Sequence, residues 1–345
     1  FTAPDPVNGG GSGTENDPYI IENWAINASG ATGIDIRNTT AYFIIRNCLV
    51  ENGRSGNRDG IYLNNVVNGK IENCTCSNNS YSIYLYSSSN NTLTNNTCSN
   101  NYLGLVLHSS SDNNILTNNS CNNTTGYGIY LFESSSNTLT NNSCNNTIAY
   151  GIYLCTSSSN NTLTNNSCSN NNYGIYLDRS SNNNTLTNNS CFSNNGGIVL
   201  EYSLSNNTLT YNTCDNNSGY GIRLHSSFNS TLTNNSCSNN GDGIFLVHSD
   251  TNTISNNTVK NNSYGIRFWD SDINRIYHNN LINNNNQAYD DGTNFWDDGY
   301  PSGGNYWSDY TGLDENRGEN HDIPGADGIG DTPYNIPGGS NQDRY

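Results

Sequence analysis

The sequence predicts an all-β protein, a right-handed single-stranded parallel β-helix of about 11 coils of 22 to 24 residues, with an irregular C-terminal cap. Three observations predict it: a leucine returns at that interval, a cysteine follows it five positions later, and an I-x-L triplet keeps the same period. Repeats this short bury their apolar residues only by stacking on one another. Connections between parallel strands are almost always right-handed, which gives the hand of the coil.

Each repeat is predicted to consist of three short strands separated by three turns. Alternating residues of a strand point to opposite faces, so the outer residues of I-x-L point inward and the middle residue points outward. Asn, Ser, Thr and Gly, which dominate the repeat, are poor residues for a helix interior. Two inward columns are the leucines Leu93, Leu116, Leu139, Leu163, Leu186, Leu209 and Leu232 and the cysteines Cys76, Cys98, Cys121, Cys144, Cys168, Cys191, Cys214 and Cys237.

The chain has three predicted parts. Residues 1–18, rich in Gly and Pro, form an irregular lead-in, residues 19–287 form the β-helix, and residues 288–345 form a cap rich in aromatic residues, Asp and Gly. A length of 345 residues would normally favour two domains. Here one period occupies most of the chain, which favours a single solenoid with end pieces.

Composition and charge limit the partners of the protein. The net charge is −17 at pH 7, so binding to nucleic acid would work against the protein's own field. The chain lacks an apolar run of roughly 18 residues, so membrane insertion is not expected. The first residue is Phe1 rather than Met, which suggests either that a signal peptide has been removed or that the sequence is trimmed. Many N-x-S/T sequons occur, which favours an extracellular glycoprotein, either secreted or on the cell surface.

A column of asparagines follows the leucines at a distance of two residues. Asn tolerates the left-handed backbone of a sharp turn, and stacked amides can hydrogen-bond from coil to coil. This column is therefore predicted to be a buried asparagine ladder whose sequon asparagines are too buried to carry glycans. Its members are Asn47, Asn73, Asn95, Asn118, Asn141, Asn165, Asn188, Asn234 and Asn256.

The 11 cysteines divide into three groups. The inward cysteines are predicted to be buried free thiols, because neighbouring rungs are about 4.8 Å apart whereas the Cβ atoms of a disulfide are about 3.8 Å apart. Cys48 and Cys74 occupy adjacent coils at a turn, where the geometry is less restricted, and a disulfide is predicted between them. Cys155 stands alone on the outer face.

A stripe of tyrosines occupies the outward position of the I-x-L strand. Flat aromatic rings suit sugar faces or contact with another protein, so the stripe is predicted to be an interface or a glycan-binding surface. The alternative is that the rings stack on one another and stiffen the sheet. This tyrosine stripe consists of Tyr62, Tyr84, Tyr130, Tyr153 and Tyr176.

The sequence favours no catalytic residue, since a near-perfect repeat leaves little room for a unique active site. The candidates are Asp178, Glu201 and His225, which fall on consecutive coils of one outer column. Stacking would place the two carboxylates about 5 Å apart, near the separation in retaining glycosidases. Any two stacked carboxylates share this distance, and the alternative is a solvated charged patch.

The last part of the chain gathers carboxylates among glycines and prolines. Oxygen ligands on a flexible loop are typical of Ca²⁺ sites, so a structural calcium is predicted here, and no organic cofactor is expected. The spacing is not that of an EF-hand, and Asp-Gly pairs also form ordinary turns. The candidate ligands are Asp314, Asp322, Asp327 and Asp331.

Two motifs give a family resemblance, the repeat N-N-T-L-T-N-N-S-C-x-N-N-x-x-G-I-x-L and the ending D-D-G-Y-P-S-G-G-N-Y-W-S-D-Y. The chain resembles the NosD-like parallel β-helix proteins, the carbohydrate-binding and sugar-hydrolase repeat group, and in particular their archaeal secreted and cell-surface branch. The resemblance implies copper delivery in one branch and envelope, sheath or adhesion roles in another. The lack of methionine and the 5 scattered histidines argue against copper handling.

These observations favour a non-enzymatic structural protein of the cell surface or secreted material. It is expected to assemble with copies of itself into a filament, sheath or surface layer, through its coil ends or the tyrosine stripe, because open strand edges can pair with another chain. Two alternatives remain, a carbohydrate-binding adhesin whose partner is surface polysaccharide, and a polysaccharide-active enzyme that uses Asp178, Glu201 and His225.

Overall fold

The chain folds as the predicted right-handed parallel β-helix, with three strands in each coil. The computed structural model describes residues 10–345 and divides into two compact units, the first ending at Thr185 and the second comprising Leu186–Tyr345. Of the predicted lead-in, residues 1–9 lie outside the described residues, and residues 10–18 are irregular apart from a bridge between Thr14 and Asp17.

The first unit contains seven strands of each of three parallel sheets, and each strand pairs in register with the strand one coil away. Sheet A consists of Tyr19–Glu22, Phe43–Arg46, Gly69–Glu72, Thr92–Thr94, Ile115–Thr117, Thr138–Thr140 and Thr162–Thr164. Sheet B consists of Ala25–Asn27, Leu49–Glu51, Thr75–Ser77, Thr97–Ser99, Ser120–Asn122, Ser143–Asn145 and Ser167–Ser169. Sheet C consists of Ile34–Thr39, Ile61–Val66, Tyr81–Tyr86, Leu103–His108, Ile129–Phe132, Tyr150–Cys155 and Tyr173–Asp178. A short 3₁₀ turn, Arg54–Gly56, lies between sheets B and C.

The second unit repeats the pattern, and the strand Thr185–Thr187 contains the boundary between the units. Its sheet A strands are Thr208–Thr210, Thr231–Thr233, Thr253–Ser255 and Arg275–Tyr277. Its sheet B strands are Ser190–Phe192, Thr213–Asp215, Ser236–Ser238, Thr258–Lys260, Asn280–Ile282 and Tyr306–Trp307. Its sheet C strands are Gly196–Ser205, Tyr220–Phe228, Asp242–Val247, Tyr264–Trp269 and Asn286–Asp290. Two antiparallel pairs complete the cap, Asn316–Arg317 with Ile323–Pro324 and Tyr334–Asn335 with Gln342–Asp343.

The last coil and the cap share strands. Asn286–Asp290 pairs with Tyr264–Trp269 although it lacks the I-x-L pattern, so strands of the sheet C type number 12 rather than the 11 counted from the sequence. Tyr306–Trp307 pairs in turn with Asn280–Ile282. The predicted cap boundary at residue 287 therefore falls within a strand, and cap residues continue the last coil.

The predicted core is confirmed. Leu139, Cys144 and Ile152, one from each sheet of a coil, are fully buried, as are the other members of their columns. Cysteine pairs with cysteine along sheet B, for example Cys98 with Cys121. Burial raises the pKa of the Cys76 thiol to about 12, so that side chain is a small neutral filler of the interior.

The asparagine column at Asn95 is not the buried ladder that the sequence predicts. Asn95 has the predicted left-handed backbone (φ 56°), but its side chain is exposed, and its neighbour Asn96 is the buried one. In each Asn-Asn turn the first residue makes the bend and the second turns inward. The acceptor asparagine of the sequon Asn95-Asn96-Thr97 is therefore exposed, and the prediction that such sequons are too buried to carry glycans is wrong.

The buried asparagines form ladders with a direction. Asn96 uses both its backbone N–H and Nδ2 to donate to Oδ1 of Asn119 in the next coil, each at 3.0 Å. Asn96 Nδ2 also donates to the carbonyl oxygen of Ile71 in the preceding coil (3.0 Å). In the described part of the first unit, such ladders occur at all three turns, starting at Asn91, at Asn96 and at Asn79. The ladder that starts at Asn79 is interrupted at Thr124, whose hydroxyl has no hydrogen-bond partner within residues 10–345. Each buried amide is thereby satisfied, as burial requires.

The ladders end in the cap of the second unit on new acceptors. The Asn91-type ladder ends when Nδ2 of Asn294 donates to Asp290 (2.8 Å). The Asn101-type ladder ends when Nδ2 of Asn284 donates to Oε1 of Gln287 (2.8 Å). The Asn96-type ladder ends at Asp343, described below.

Cys48 and Cys74 do not form the predicted disulfide, since both are buried free thiols. Cys48, Cys74 and Asn96 occupy the same position in three successive coils, so the two thiols precede the first asparagine of this ladder. Cys48 Sγ donates to the carbonyl oxygen of Ile21 (3.9 Å) and Cys74 Sγ to that of Ile45 (3.7 Å), as the ladder amides do in later coils. The sulfurs are thus directed at backbone acceptors, and the thiols begin the ladder.

Candidate functional site

The tyrosine stripe lies on the outward face of sheet C in the first unit and packs mainly against itself. Tyr130 and Tyr153 are stacked with ring centroids 5.1 Å apart and an interplanar angle of 18°. A second column of rings, including Tyr127 and Tyr150, packs edge-on against Tyr153 at 4.9 Å. Tyr153 and Tyr176 are consequently only 8% and 6% exposed. The structure therefore shows the stacking that the sequence offered as the alternative, and an interface there stays a prediction.

Tyr62 and Tyr84, at the other end of the stripe, are half-buried and lie 5.1 Å apart. Beside them, Tyr86, His108 and Phe132 form a parallel stack with centroid distances of 5.5 and 4.6 Å. The stack partly buries His108, and this desolvation lowers the pKa of its imidazole. Aromatic contacts thus continue along two outward positions of the same strands.

Asp178 lies at the end of a sheet C strand of the first unit and is buried. Tyr153 Oη donates to its Oδ2 (3.0 Å), and Arg179 Nε lies 3.4 Å from the same oxygen. Cys155 Sγ is 4.0 Å from it. Burial is the main cause that raises the pKa of Tyr153 above its usual value, so the phenol stays a donor to the carboxylate.

Glu201 and His225 belong to the second unit, so the predicted spacing between Asp178 and Glu201 stays a prediction. Arg223 Nη1 donates to Oε1 of Glu201 at 2.6 Å, and both side chains are largely buried. His225 Nδ1 lies 4.0 Å from the same carboxylate oxygen and has no hydrogen-bond partner among residues 10–345. Burial, followed by the charge of Arg223, lowers the pKa of His225. We call Glu201, Arg223 and His225 the charged cluster.

Two exposed aromatic residues lie on the same stretch of sheet C as the charged cluster. Tyr202 is 54% exposed and its ring centroid is 5.7 Å from that of His225. Trp269 is 56% exposed and lies at the end of the column Glu201, His225, Val247, Trp269, in which each residue pairs with the next. Three rungs separate Glu201 from Trp269, a length of about 14 Å. The sequence places Trp269 in this column, but sequence reasoning singled out neither aromatic residue.

A second row of pairs borders this surface. His248 Nδ1 lies 2.9 Å from Oδ2 of Asp270, and Arg267 Nη2 donates to Oδ2 of Asp242 at 2.7 Å. Arg267 also lies over the ring of Phe245, 4.0 Å from its centroid. Arg223 and Arg267 therefore each have an anionic neighbour, and the surface offers polar groups held in fixed positions.

The four predicted calcium ligands do not come together. The carboxylate of Asp331 accepts from the backbone N–H of Glu315 (2.8 Å), and that of Asp314 accepts from the backbone N–H of Gly328 (2.9 Å). Asp327 accepts from another backbone N–H, and Asp322 is exposed. Within residues 10–345, no three His, Cys, Asp or Glu side chains form a group suited to a metal ion. The carboxylates of Asp314, Asp327 and Asp331 brace the loop by hydrogen bonds, as Asp does in many turns, and a structural calcium stays a prediction.

The family model described as periplasmic copper-binding protein (NosD) matches residues 14–190 and 155–312 of the chain. No curated protein has a sequence that matches it. The part of the chain that the structure describes has no helix with the length and hydrophobicity needed to span a membrane.

Several solved structures are similar. The A-module of the mannuronan C-5 epimerase AlgE4 from Azotobacter vinelandii has a TM-score of 0.71 and 13% identity, over 80% of this chain and 90% of that one. The A-module of AlgE6 from the same organism has a TM-score of 0.63 and 14% identity, over 81% and 89%. A mutant of the periplasmic alginate epimerase AlgG has a TM-score of 0.53 and 16% identity, over 80% and 78%. At these identities the matches show a shared fold.

The residues present do not fit the copper named in the family description. Copper sites use thiolate, thioether or imidazole ligands gathered round one point. The chain has no methionine, and the described residues contain no group of three candidate ligands. His225 and His248 are neighbours, with ring centroids 5.9 Å apart, but His248 is engaged with Asp270.

Proposed function

The chain belongs to the NosD family, and on that premise we propose that it is a polysaccharide-binding protein that acts outside the cytoplasm. The proposed location rests on the descriptions of the matching family and of AlgG, both of which are periplasmic. The proposed binding site is the outward face of sheet C in the second unit, from Tyr202 to Trp269.

One observation carries the proposal: two exposed aromatic rings lie on one stretch of sheet C together with a fixed polar cluster. The rings of Tyr202 and Trp269 can stack on sugar faces, which are apolar. Between them, Arg223 and Glu201 hold each other at 2.6 Å, and His225 keeps an unpartnered nitrogen beside them. The face is longer than one pyranose ring, which suits a glycan chain.

The charge of the face favours a neutral glycan. Arg223 is paired with Glu201 and Arg267 with Asp242, so neither of these cations is left over for a polyanion. The net charge of the whole chain is −17, which would repel one. Paired side chains still offer hydrogen bonds to hydroxyl groups.

The comparisons favour this function over self-assembly. The similar solved structures include proteins named for mannuronan and alginate, both polysaccharides. The tyrosine stripe, the flank through which assembly was expected, is covered largely by its own rings. A filament, sheath or layer stays a prediction with no further support.

Affinity gel electrophoresis in neutral and in uronate polysaccharides tests the proposal. We expect retardation in at least one neutral polysaccharide, and we expect Trp269→Ala and Tyr202→Ala each to weaken it about tenfold. Trp24→Ala is the matched control, because Trp24 is an exposed aromatic residue of the first unit. If Trp24→Ala abolishes the retardation and Trp269→Ala does not change it, the binding site lies elsewhere and the proposal is wrong.

A polysaccharide-active enzyme is the second candidate, and His225 is the observation that favours it. Its lowered pKa favours the neutral imidazole near pH 7, the form that can act as a general base, and Oε1 of Glu201 lies 4.0 Å from its Nδ1. Asp178 belongs to the other unit, and its part in such a site stays a prediction. If the enzyme hypothesis is right, Glu201→Gln abolishes turnover of a bound glycan while gel retardation persists.

A further inference from the structure

The cap of the second unit contains a cleft with a volume of about 560 Å³. It shares no lining residue with the glycan-binding face proposed above. Aromatic side chains and glycines line much of it, among them Tyr306, Tyr310, Tyr334, Gly312 and Gly330. Concave sites of this size with aromatic walls and a few polar groups are typical of small-ligand sites.

Glycines give the cleft its shape. A Cβ atom at Gly312 or at Gly330 would collide with the hydroxyl end of Tyr310. That hydroxyl donates to the carbonyl oxygen of Thr332 (2.8 Å), which fixes the ring between the two glycines. The wall is therefore formed by the fold of the cap before any ligand enters.

Asp343 lines the cleft and is only 3% exposed. Its Oδ2 accepts from the backbone N–H and Nδ2 of Asn305 (2.7 and 3.1 Å) and from Nε1 of Trp307 (2.8 Å). Its Oδ1 is buried and has no hydrogen-bond partner among residues 10–345. An acceptor buried without a donor is costly, and a ligand hydroxyl group would supply that donor.

The aromatic wall offers a flat face beside Asp343. Tyr306 is 58% exposed, although it belongs to a strand that pairs with the last coil. Its neighbour Trp307 is stacked on Tyr334, with ring centroids 4.0 Å apart and an angle of 7°. This stacking fixes the strand that presents Tyr306, and a ring held in this way suits the apolar face of a sugar.

We propose that the cap cleft binds a neutral saccharide, with Oδ1 of Asp343 accepting a hydroxyl hydrogen and Tyr306 packing on the sugar ring. The site does not depend on the proposed glycan face of sheet C. It would hold a short saccharide or the end of a chain, since the cleft is confined whereas sheet C is long and open.

Isothermal titration calorimetry of the whole protein with maltotriose, cellotriose and mannotriose tests the proposal. We expect at least one of them to bind, with a Kd below about 10 mM. Asp343→Asn keeps an acceptor for Asn305 and Trp307 but places an NH₂ group at the position of Oδ1, and we expect about tenfold weaker binding. Tyr306→Ala is expected to weaken binding about threefold to tenfold.

The controls separate this site from the sheet C face. Tyr300→Ala removes an exposed aromatic residue of the cap that does not line the cleft, and it should leave the Kd unchanged. Trp269→Ala should also leave it unchanged. The proposal is wrong if none of the three sugars binds, if Asp343→Asn and Tyr306→Ala bind as well as the wild type, or if only Trp269→Ala weakens binding.

Discussion

The asparagine ladders and the cap of the second unit satisfy buried polar groups in different ways. In the ladder, Asn235 Oδ1 accepts from the backbone N–H and Nδ2 of Asn212 (2.9 and 3.0 Å), and Asn235 Nδ2 donates to the carbonyl oxygen of Leu209 (2.9 Å). In the cap, two of the ladders end on a buried carboxylate, and one of these, Asp290, also accepts from Nε1 of Trp296 (2.7 Å). The third ladder ends on the amide of Gln287.

The difference follows from the direction of the ladder. In the second unit, ladder asparagines such as Asn212, Asn217 and Asn252 donate to the side-chain oxygen of the next coil, so the last coil leaves donors without an acceptor. A carboxylate only accepts, so Asp290 and Asp343 end their ladders without new donors. The amide of Gln287 does bring new N–H groups, and its Nε2 donates to Oγ of Ser308 (2.8 Å) and Oδ1 of Asp309 (3.3 Å). At the first coils of the ladder no donor is left without an acceptor. There the thiols of Cys48 and Cys74 occupy the ladder position and donate to backbone carbonyl oxygens.

Removing one ladder amide is expected to have the largest effect. Asn235→Ala leaves two donors of Asn212 and the carbonyl of Leu209 unpaired, and it should lower the free energy of unfolding by about 3 to 5 kcal/mol. Asn234→Ala, one residue away, changes an exposed left-handed position (φ 55°) and should cost about 1 kcal/mol. Urea unfolding measures both. Equal costs would contradict the assignment of the inward residue.

Removing a ladder terminator is expected to cost less. Asp290→Ala deprives Asn294 and Trp296 of their acceptor and should lower the free energy of unfolding by about 2 to 4 kcal/mol. The exposed Asp322 is the control, and Asp322→Ala should have no measurable effect. Thermal unfolding followed by tryptophan fluorescence compares them, and a stable Asp290→Ala variant would show that the ladder needs no terminator.

The smallest effect is expected from pH. Burial raises the pKa of Asp343 to about 6, above the value of 3.8 for an unperturbed Asp, so the folded state holds this proton more tightly. The stability it contributes is complete below pH 3.8 and is lost as pH rises through 6, a difference of about 2 to 3 kcal/mol. Urea unfolding at several pH values should show a flatter dependence for Asp343→Asn. Parallel curves for the two proteins would contradict the raised pKa.

Much of the fold could be predicted because the same pattern of apolar residues recurs at a fixed interval along the chain. Leu139, Cys144 and Ile152 are buried as the period requires. The sequence predicts the buried ladder for the column that contains Asn95, but it is formed by the neighbouring column that contains Asn96. The repeat interval alone does not say which member of an Asn-Asn pair points inward. The backbone angles of the turn decide which asparagine points inward. For the same reason the sequon asparagines are exposed, whereas the sequence predicts them to be buried.

The sequence by itself determined the parallel β-helix and its interior, since residues repeated at one interval must stack and share a core. The tertiary structure alone decided which side chains become sites. The distances from Glu201 to Arg223 and His225, the exposure of Tyr202 and Trp269, and the cleft beside Asp343 depend on contacts between coils and cap that no repeat encodes, because each occurs only once in the chain.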